Sequence, residues 1–289
     1  MLATLQRLYP EWGVTAVRLV GEGLENWVYR AETGRYGPLA VRVPRERWYH
    51  NDNDQGLDSR ALLRQEAALA DLMGSHGIPV PAVVAVHFSD EVDFLASTFV
   101  EGDGSEPRAE AMGQVAAAIH SVPCSPTPVL VGMNGRSLEE VLAERIIRRA
   151  AVVERLAGVN LPMPGRAELR SLLTWPGTRH AVLHMDFRPA NLLTRCGEVA
   201  AVVDWSNALL GDPALDLART AEYGLLTGGF LDGYASGEPF AHVPPDVEGL
   251  YRLDTAIMLA VVFLSEAPDR QSAGRQVRRI LALNADLWR

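Results

Sequence analysis

Residues 182–193 read Val182-Leu183-His184-Met185-Asp186-Phe187-Arg188-Pro189-Ala190-Asn191-Leu192-Leu193. This stretch places a loop of the form His-x-Asp-x-x-x-x-Asn between two short apolar segments, which are typical of buried strands. A further apolar strand, Val199 to Val203, follows the loop and leads directly to Asp204. Asp186 and Asn191 therefore mark the two ends of one loop, and Asp204 ends the hairpin partner. We expect all three side chains to point into one pocket.

These three polar residues match what phosphoryl transfer requires. One carboxylate must lie beside the attacking hydroxyl, and an amide oxygen and a second carboxylate must hold metal against the phosphates. Magnesium prefers hard oxygen ligands and takes only a few from the protein, so one Asn and one Asp are sufficient. For a single motif the alternative is an ordinary turn, because Asp and Asn are common turn residues. The motifs that follow argue against that alternative.

Two further motifs follow the loop, Val203-Asp204-Trp205 and Gly211-Asp212-Pro213-Ala214-Leu215-Asp216-Leu217-Ala218. Together with the loop they resemble the aminoglycoside phosphotransferase family. That family includes antibiotic kinases and relatives that act on choline, homoserine and sugars. The resemblance extends from about Gly21 to Ala218, and it leaves the last seventy or so residues without a motif.

The resemblance implies a protein-kinase-like fold, a bound Mg²⁺ ion and ATP or GTP as the phosphate donor. It implies that Asp186 is the catalytic carboxylate and that Asn191 and Asp204 are the magnesium ligands. His184 and Asp216 are implied to support the loop through hydrogen bonds.

Two other loop positions are less closely defined by the family pattern. Met185 stands where the family usually has Gly, and a positive φ there would strain a Met side chain. We expect instead that Met185 is only packed. Arg188 either offsets phosphate charge or is a solvated loop residue, and the sequence does not separate the two.

A possible nucleotide cradle lies near the N-terminus. Gly21, Gly23 and Asn26 form a GxGxxN turn, which alone is weak evidence for a bound nucleotide. Arg42 follows where protein kinases carry a lysine that pairs phosphates and a helix glutamate. Glu66 is the natural partner of Arg42, although it could also be a surface helix residue. The segment that resembles a kinase hinge, whose backbone binds the purine, comprises Thr98, Phe99 and Val100.

Hydrophobic periodicity predicts an α+β chain. Strands are predicted at Val14 to Gly21, Trp27 to Thr33, Leu39 to Val43, Val83 to Phe88 and Phe94 to Val100. Helices are predicted from Asp58 or Ser59 to Met73, from Pro107 to Ile119, from a capping box at Ser137 toward Leu156, and after Pro213. We expect a nucleotide-binding lobe at residues 1–102 and a catalytic and substrate-binding lobe at residues 103–289, with the ligand site in the cleft between them.

Composition excludes several other classes of protein. A net charge of −9 disfavours nucleic acid as a partner. Two cysteines without a Cys/His cluster argue against disulfide and zinc frameworks, which favours a cytoplasmic location. No segment predicts a signal peptide or a membrane span, so we expect no membrane partner. We also expect a small-molecule hydroxyl substrate and a monomer or homodimer. The acidic stretch Tyr49 to Gly56 lacks the closing Glu of a calcium loop, and we expect a polar connecting loop.

The alternatives differ in substrate. A protein kinase would need Asp-Phe-Gly where this chain has Asp204-Trp205-Ser206. A pseudokinase remains open because Arg42 replaces the lysine. Antibiotic inactivation leads, and a metabolic kinase for a small alcohol is second. The acidic candidates for binding an aminoglycoside are Glu222, Asp232, Glu248, Asp254 and Glu266. The aromatic candidates for binding a macrolide or nucleoside are Tyr223, Tyr234, Tyr251, Phe263 and Trp288. For any single one of these residues, a solvated helix face or a core position is the preferred interpretation.

Overall fold

The computed structural model describes residues 1–125, 128–235 and 240–288. The chain divides into two units, and each unit is assembled from three separate segments. Unit 1 comprises Met1–Tyr49, Gly56–Arg108 and Pro189–Ser206, and unit 2 comprises His50–Gln55, Ala109–Arg188 and Asn207–Arg289. The predicted division into residues 1–102 and 103–289 stays a prediction.

The secondary structure is mixed. The strands are β1 (Val14–Glu22), β2 (Asn26–Thr33), β3 (Gly37–Pro44), β4 (Trp48–His50), β5 (Gln55–Asp58), β6 (Val83–His87), β7 (Phe94–Thr98), β8 (Ala181–Leu183), β9 (Leu192–Arg195), β10 (Glu198–Val202) and β11 (Leu209–Gly211). The helices are α1 (Leu2–Leu8), α2 (Ser59–Ser75), α3 (Ala109–Ser121), α4 (Leu138–Ala157), α5 (Arg166–Leu173), α6 (Pro213–Glu222), α7 (Gly228–Tyr234), α8 (Pro245–Val261) and α9 (Arg270–Leu287). Short 3-10 turns lie at Pro10–Trp12 and Pro189–Asn191, and a π-turn lies at Val262–Glu266.

Unit 1 is built on a five-stranded antiparallel sheet in the order β1-β2-β3-β7-β6. All five of these strands were predicted, β3 from its alternation and β1 and β2 from β-branched or aromatic runs between glycine-containing turns. Leu39, Val41 and Val43 of β3 are buried, as a strand with one covered face requires. They share a core with Phe94 of β7 and with Leu5 of α1. The fold is therefore α+β, with a small N-terminal antiparallel sheet and a larger, mostly helical C-terminal part, as predicted.

Helix α2 begins where the sequence predicted. Asp58 is its N-cap and accepts hydrogen bonds from the Arg60 and Ala61 amide groups, which satisfies two otherwise unpaired donors. The helix was predicted to end at about Met73, and α2 ends two residues later, at Ser75.

The strands around the loop form two separate pairs. Strands β9 and β10 form the predicted antiparallel hairpin, in unit 1. Strand β8 pairs with β11, in unit 2. The second of these pairs was not predicted, because β11 has only three residues and gives no periodic signal.

Helix ends organise unit 2. The predicted capping box at Ser137 is present, with Glu140 as its partner at the head of α4. Asp212 is the N-cap of α6 and is completely buried. A Cβ at Gly211 would lie within 3 Å of the Leu138 side chain, which would have to shift. The glycine of the Gly-Asp-Pro motif is therefore closely packed against α4 in this chain.

The segment from Tyr49 to Gly56 is not the polar connecting loop that the sequence predicted. Its ends form β4 and β5, which pair with each other. Asn53, in the middle, is buried at 4% exposure. Its amide group donates to Glu266 at 3.0 Å, and its side-chain nitrogen donates to the Met258 carbonyl at 3.3 Å. The prediction was wrong because the polar residues bind partners that are distant in sequence.

The longest apolar run, Ala256 to Leu264, lies in α8 and the π-turn and helps to form the core of unit 2. Helix α5 was not predicted, and Leu169 and Leu173 anchor it in the same core. Across residues 1–125, 128–235 and 240–288, we find no helix that combines the length and apolar character needed to span a membrane.

Candidate active site

The centre of unit 1 is an arginine between two carboxylates. Arg42, on β3, donates from Nη1 to Glu66 Oε1 at 2.7 Å and from Nη2 to Asp204 Oδ1 at 2.9 Å. The predicted pairing of Arg42 with Glu66 is therefore present. Glu66 comes from α2, and the strand β10 runs toward Asp204. Three sequence-distant elements are joined by one guanidinium, whose planar fork suits two carboxylates.

These three charges shift one another's ionisation. Burial raises the pKa of Glu66 to about 7; Arg42 works against this rise and Asp204 adds to it. Burial lowers the pKa of Arg42, but the charges of Asp204 and Glu66 outweigh burial and hold that pKa above its ordinary value. Arg42 is therefore a permanent cation, and Glu66 is the group in this centre that titrates near neutral pH.

The predicted cradle residues surround the same arginine. The side-chain oxygen of Asn26, in the amide orientation that satisfies its hydrogen bonds, accepts from Arg42 Nη2 at 2.9 Å and from Nε at 3.2 Å. The Gly23 amide group donates to the Asn26 carbonyl at 2.9 Å and closes the turn. A Cβ at Gly21 would make only ordinary contact with Val28. Space alone therefore does not require glycine at that position.

The predicted magnesium ligands both lie in unit 1. The Val203 amide group donates to the Asn191 carbonyl at 3.0 Å and links the backbone of the two ligand segments. Asp204 has a φ of +66°, and Ser206 donates to its Oδ1 at 2.7 Å. One third of its side chain is exposed, so a ligand can reach it.

An amide oxygen and a carboxylate, both hard donors, fit an ion that is held mainly by water and phosphate. No group of three or more His, Cys, Asp and Glu side chains arranged for a metal occurs among the described residues.

Two of the three predicted hinge residues, Thr98 and Phe99, donate their backbone amide groups to other carbonyl groups of unit 1. The Thr98 amide group donates to the Ala82 carbonyl at 2.8 Å, and the Phe99 amide group donates to Pro38 at 3.0 Å. Both donors are thus engaged with neighbouring strands. Their assignment to purine recognition stays a prediction.

Asp186 lies in unit 2 and is held from two sides. Its Oδ1 accepts from Arg188 Nε at 2.9 Å and from the Tyr223 hydroxyl at 2.9 Å. Arg188 is thus paired with the predicted catalytic carboxylate, an arrangement that neither sequence interpretation of Arg188 included. Tyr223 was named only as a possible substrate wall, and the structure instead places it on Asp186.

The loop before Asp186 is supported by Asp216, as the resemblance implied. Asp216 accepts from the backbone amide groups of His184 at 2.7 Å and Met185 at 2.9 Å. The His184 ring, in turn, lies 3.2 Å from the Asp186 amide nitrogen through Nδ1. The hydrogen bonds predicted for His184 and Asp216 are therefore present, and their functional roles stay predictions.

Met185 corrects one expectation. It is buried, but it also has a φ of +63°, so the interpretation that it is only packed was wrong. A left-handed backbone costs a non-glycine residue about 1–2 kcal/mol. The amide groups that Asp216 binds and the buried methionine side chain offset this cost.

A second layer holds Asp216. His120 lies 3.3 Å from Asp216 through Nε2 and 2.8 Å from the Tyr234 hydroxyl through Nδ1. Burial raises the pKa of Asp216, but His120 and the amide donors outweigh burial and lower that pKa below its ordinary value. Asp216 is therefore an anion that fixes the backbone of the loop.

Arg219 is buried and interacts with the Tyr223 side chain. Burial raises the pKa of Tyr223, while the neighbouring Arg219 opposes the rise and Asp186 adds to it. The sequence analysis did not predict that Tyr223 binds Asp186 or that Arg219 interacts with Tyr223, although the helical spacing of these residues indicates a shared face. Asp216, Arg219 and Tyr223 occur at positions i, i+3 and i+7 of one helical stretch, so they share a face.

The acidic candidates for an aminoglycoside site are mostly occupied by arginines. Glu222 is bound by Arg252 and Arg279, and Glu248 is also bound by Arg252. Asp254 is completely buried against other arginines. Asp232 is exposed, and Glu266 accepts a backbone amide group in the buried segment described above.

A family comparison supports these observations. The model of the APH phosphotransferase enzyme family matches residues 16–243. This range includes the motifs that contain Asp186, Asn191, Asp204 and Asp216. No curated protein matched the chain.

Solved structures share the fold. One is a thermostable mutant of aminoglycoside phosphotransferase APH(4)-Ia in ternary complex with AMP-PNP and hygromycin B, at 18% identity and a TM-score of 0.68, covering 98% of this chain and 97% of that one. Another is the GDP complex of wild-type aminoglycoside 2'-phosphotransferase-IIIa, at 15% identity and 0.63, covering 98% and 97%. A third is macrolide 2'-phosphotransferase MphH from Brachybacterium faecium, at 19% identity and 0.59, covering 98% and 97%. The predicted protein-kinase-like fold is confirmed.

Proposed function

Because the chain belongs to the phosphotransferase enzyme family, we propose that it transfers the γ-phosphate of ATP or GTP to a hydroxyl of a small molecule. The observation that carries this proposal is the set of hydrogen bonds that fixes the Asp186 carboxylate and its loop. Its loop is fixed by Asp216, and its Oδ1 accepts from Arg188 and Tyr223. A carboxylate that is held in this way can orient a hydroxyl without moving.

The groups of unit 1 would receive the nucleotide. Asn191 and Asp204 would hold Mg²⁺, which when bound neutralises charge on the transferring phosphate. Arg42 would steady the inner phosphates, and Glu66 keeps Arg42 in place through the 2.7 Å ion pair. Arg42 already contacts Asp204, so phosphates that approach this pair meet a fixed positive charge.

Asp186 would act on the other substrate. It orients the hydroxyl for in-line attack, a bond forms between that oxygen and the γ-phosphorus, and the bond to the bridging oxygen breaks. The nucleoside diphosphate leaves, and the hydroxyl proton passes to the Asp186 carboxylate. The proposal requires Asp186 and the phosphate-binding groups of unit 1 to act on the same pair of substrates.

An antibiotic is the first substrate class to test. The relatives with a similar fold are named for aminoglycosides and macrolides, and one of them was solved with hygromycin B. A metabolic kinase for a choline, homoserine or sugar type of alcohol is the second candidate, because fold alone does not fix function. We extend the proposal to a cytoplasmic location and a monomer or homodimer, and the two cysteines that form no disulfide favour a reducing compartment.

The test is a coupled assay of nucleoside diphosphate release, with ATP and GTP in parallel, across antibiotics and small metabolic alcohols. Magnesium-dependent release with one class, and a product heavier by one phosphate, would support the proposal. Asp186→Asn should abolish transfer while nucleotide binding persists. Asp204→Ala should also remove metal-dependent nucleotide binding. Nucleotide binding without turnover on any alcohol would favour the pseudokinase alternative.

A further inference from the structure

Unit 2 contains an arginine cluster that the proposed chemistry does not use. We define it as Arg145, Arg148 and Arg149 of α4 and Arg219 of α6. Its carboxylate partners are Asp254 and Asp54. Arg145 Nη2 lies 3.1 Å from Asp254, and Arg149 lies 3.2 Å from Asp54 and 3.7 Å from Asp254. Four cations therefore face two carboxylates.

The cluster is buried. Arg149 is 3% exposed, Arg219 is 5% exposed, and Asp254 is not exposed at all. Burial lowers the pKa of Arg145 to about 10; Asp254 opposes this, and Arg149 and Arg219 add to it. Burial is the largest cause of the lowered Arg145 pKa, and the like charges of Arg149 and Arg219 lower it further.

Several donors of the cluster lack a hydrogen-bond partner. These atoms are Nε of Arg145, Nη1 of Arg149, and both Nε and Nη1 of Arg219. Arg149 Nη1 at least lies near Asp254, whereas Arg219 has no carboxylate within ion-pair distance among the described residues. A buried charged donor without a partner is costly. Asp254 Oδ1 is likewise without a hydrogen bond and faces Arg149 Nη1, so the donors that an added oxyanion would satisfy are those of Arg145 and Arg219.

The cluster is continuous with the predicted catalytic carboxylate. Burial lowers the pKa of Arg219, but the Tyr223 hydroxyl and two carboxylates outweigh burial and raise it; the carboxylates are Asp254 and Asp186. Tyr223 itself donates to Asp186 at 2.9 Å. The outer edge is open to solvent, since the Arg148 side chain is 29% exposed and that of Arg145 is 15% exposed.

We propose that the arginine cluster binds an oxyanion, a carboxylate or phosphate, that is part of the substrate whose hydroxyl faces Asp186. This inference rests on the proposed function and narrows its substrate class. The paired acidic residues agree with it, because Glu222 and Glu248 are bound by arginines within unit 2 and are not available to cationic amino groups. The substrate is an anionic alcohol rather than a polycationic one.

Some of these arginines also anchor the segment around Asn53, so the test must separate this structural role from anion binding. Arg148 and Arg149 donate to the Asn53 carbonyl and so anchor the buried segment. Arg219 makes no hydrogen bond to that segment among the described residues, so it is the variant of choice. Arg219→Met keeps an unbranched apolar stem and removes the guanidinium group with its charge. Arg252→Met is the matched control, because Arg252 belongs to unit 2 but is bound by Glu222 and Glu248.

The first experiment is equilibrium dialysis of labelled sulfate against the full chain, without nucleotide and at constant ionic strength. We expect one sulfate per wild-type chain, binding weakened by about tenfold or more in Arg219→Met, and unchanged binding in Arg252→Met. Arg145→Gln, a second variant at the open edge, should weaken binding in the same direction. The urea midpoint of ligand-free Arg219→Met should stay close to that of the wild type, because the loss of the interactions with Tyr223, Asp254 and Asp186 offsets the removal of two unpartnered donors.

Other outcomes would overturn the inference. Binding lost only in Arg42→Met would place sulfate in the nucleotide cradle of unit 1. No binding, or equal binding in all variants, would show that the cluster takes no anion. A lowered urea midpoint in Arg219→Met together with unchanged sulfate binding would assign Arg219 a structural role only.

The second experiment concerns the substrate. Hydroxy acids are each compared with their primary amides in the phosphotransfer assay. We expect a kcat/KM at least about tenfold higher for the acid in wild-type enzyme, and a ratio near one in Arg219→Met. Equal rates for acid and amide would overturn the inference while leaving phosphotransfer intact. Absence of turnover with any alcohol would contradict the proposed function, and sulfate binding would then still report on the cluster.

Discussion

Each unit of this protein contains a buried charged centre, and the two differ in balance. In unit 1, one arginine lies between two carboxylates, and Arg42 is bound by both Glu66 and Asp204. In unit 2, the arginine cluster contains twice as many cations as carboxylates, and Asp254 is shared by two of its arginines. The first centre has an excess of negative charge, whereas the second has an excess of positive charge.

The difference indicates what each centre lacks. An excess of carboxylate next to an amide oxygen suits a divalent cation, and an excess of guanidinium suits an oxyanion. Burial raises the pKa of Glu66 to about 7, the charge of Asp204 adds to the rise, and Arg42 opposes it without cancelling it.

The largest expected effect is in unit 2. Asp254→Asn removes the fully buried carboxylate and leaves the surrounding arginines with more uncompensated charge. We expect a loss of about 3–5 kcal/mol in the free energy of unfolding, measured by urea denaturation. Asp232→Asn, at an exposed position of the same unit, should change stability by no more than about 0.5 kcal/mol. Equal stability of the two variants would mean that charge balance does not hold the cluster together.

The second effect is a pH dependence in unit 1. The pKa of Glu66 rises from 4.5 to about 7 on folding, so the folded state binds a proton more tightly than the unfolded chain. This contribution to stability is complete below pH 4.5 and is lost as the pH rises through 7. Relative to Glu66→Gln, the wild type should lose up to about 3 kcal/mol across that window in urea titrations.

Glu46→Gln is the control for this pH dependence, because Glu46 is exposed. It should follow the wild-type pH curve. If the free energy of unfolding of Glu66→Gln depended on pH as strongly as that of the wild type, another group would take up the proton. Glu66 would then not be the titrating group of the unit 1 centre.

A smaller effect concerns the neutral donor of each carboxylate. Asp204 accepts from Arg42 and from the Ser206 hydroxyl, and Asp186 accepts from Arg188 and from the Tyr223 hydroxyl. Tyr223→Phe should lower kcat about tenfold and leave the KM for the nucleotide unchanged, since one hydrogen bond to a charged group is lost. Tyr36→Phe, exposed in unit 1, is the control for the loss of a hydroxyl. An unchanged kcat would reduce Tyr223 to a packing residue.

The smallest effect concerns the backbone beside each carboxylate. Met185 precedes Asp186 with a φ of +63°, much as Asp204 has a φ of +66°. Because glycine tolerates this conformation, Met185→Gly should be more stable than Met185→Ala by about 1 kcal/mol. In α4 the order is reversed, and Ala143→Gly should cost about 0.5–1 kcal/mol. Thermal unfolding of the three variants measures both differences, and the same order at both positions would contradict the strain at Met185.

The sequence was most informative where a pattern is local. Strand β3 alternates between buried and partly exposed residues, and α2 and α4 start at capping residues. These features depend on neighbours within a few residues, whereas the pairing of Arg42 with Glu66 was predicted from the positions of the kinase lysine and its helix glutamate. The local features could therefore be predicted without knowing the tertiary structure.

Features that depend on distant contacts could not be predicted in the same way. Asn53 resembles a loop residue until Met258 and Glu266 bind it. Arg219 resembles a helix-face charge until it is buried beside Tyr223. The positive φ of Met185 goes against the preference of its residue type, because the Asp216 hydrogen bonds impose it.

The two units are interleaved along the chain, and this has a consequence for biosynthesis. Unit 1 takes its last segment from Pro189–Ser206, so the ribosome must have passed Ser206 before that unit has all of its residues. The five-stranded sheet has already been translated by then, and it must wait for the β9–β10 hairpin while much of unit 2 is emerging. Asp204, the last charged member of its centre, arrives more than 130 residues after Glu66 (204 − 66 = 138). Until then, Arg42 has Asn26 and Glu66 as partners but lacks the second carboxylate of the centre. A nascent chain that stalls earlier presents an incomplete centre to the cell's quality-control machinery.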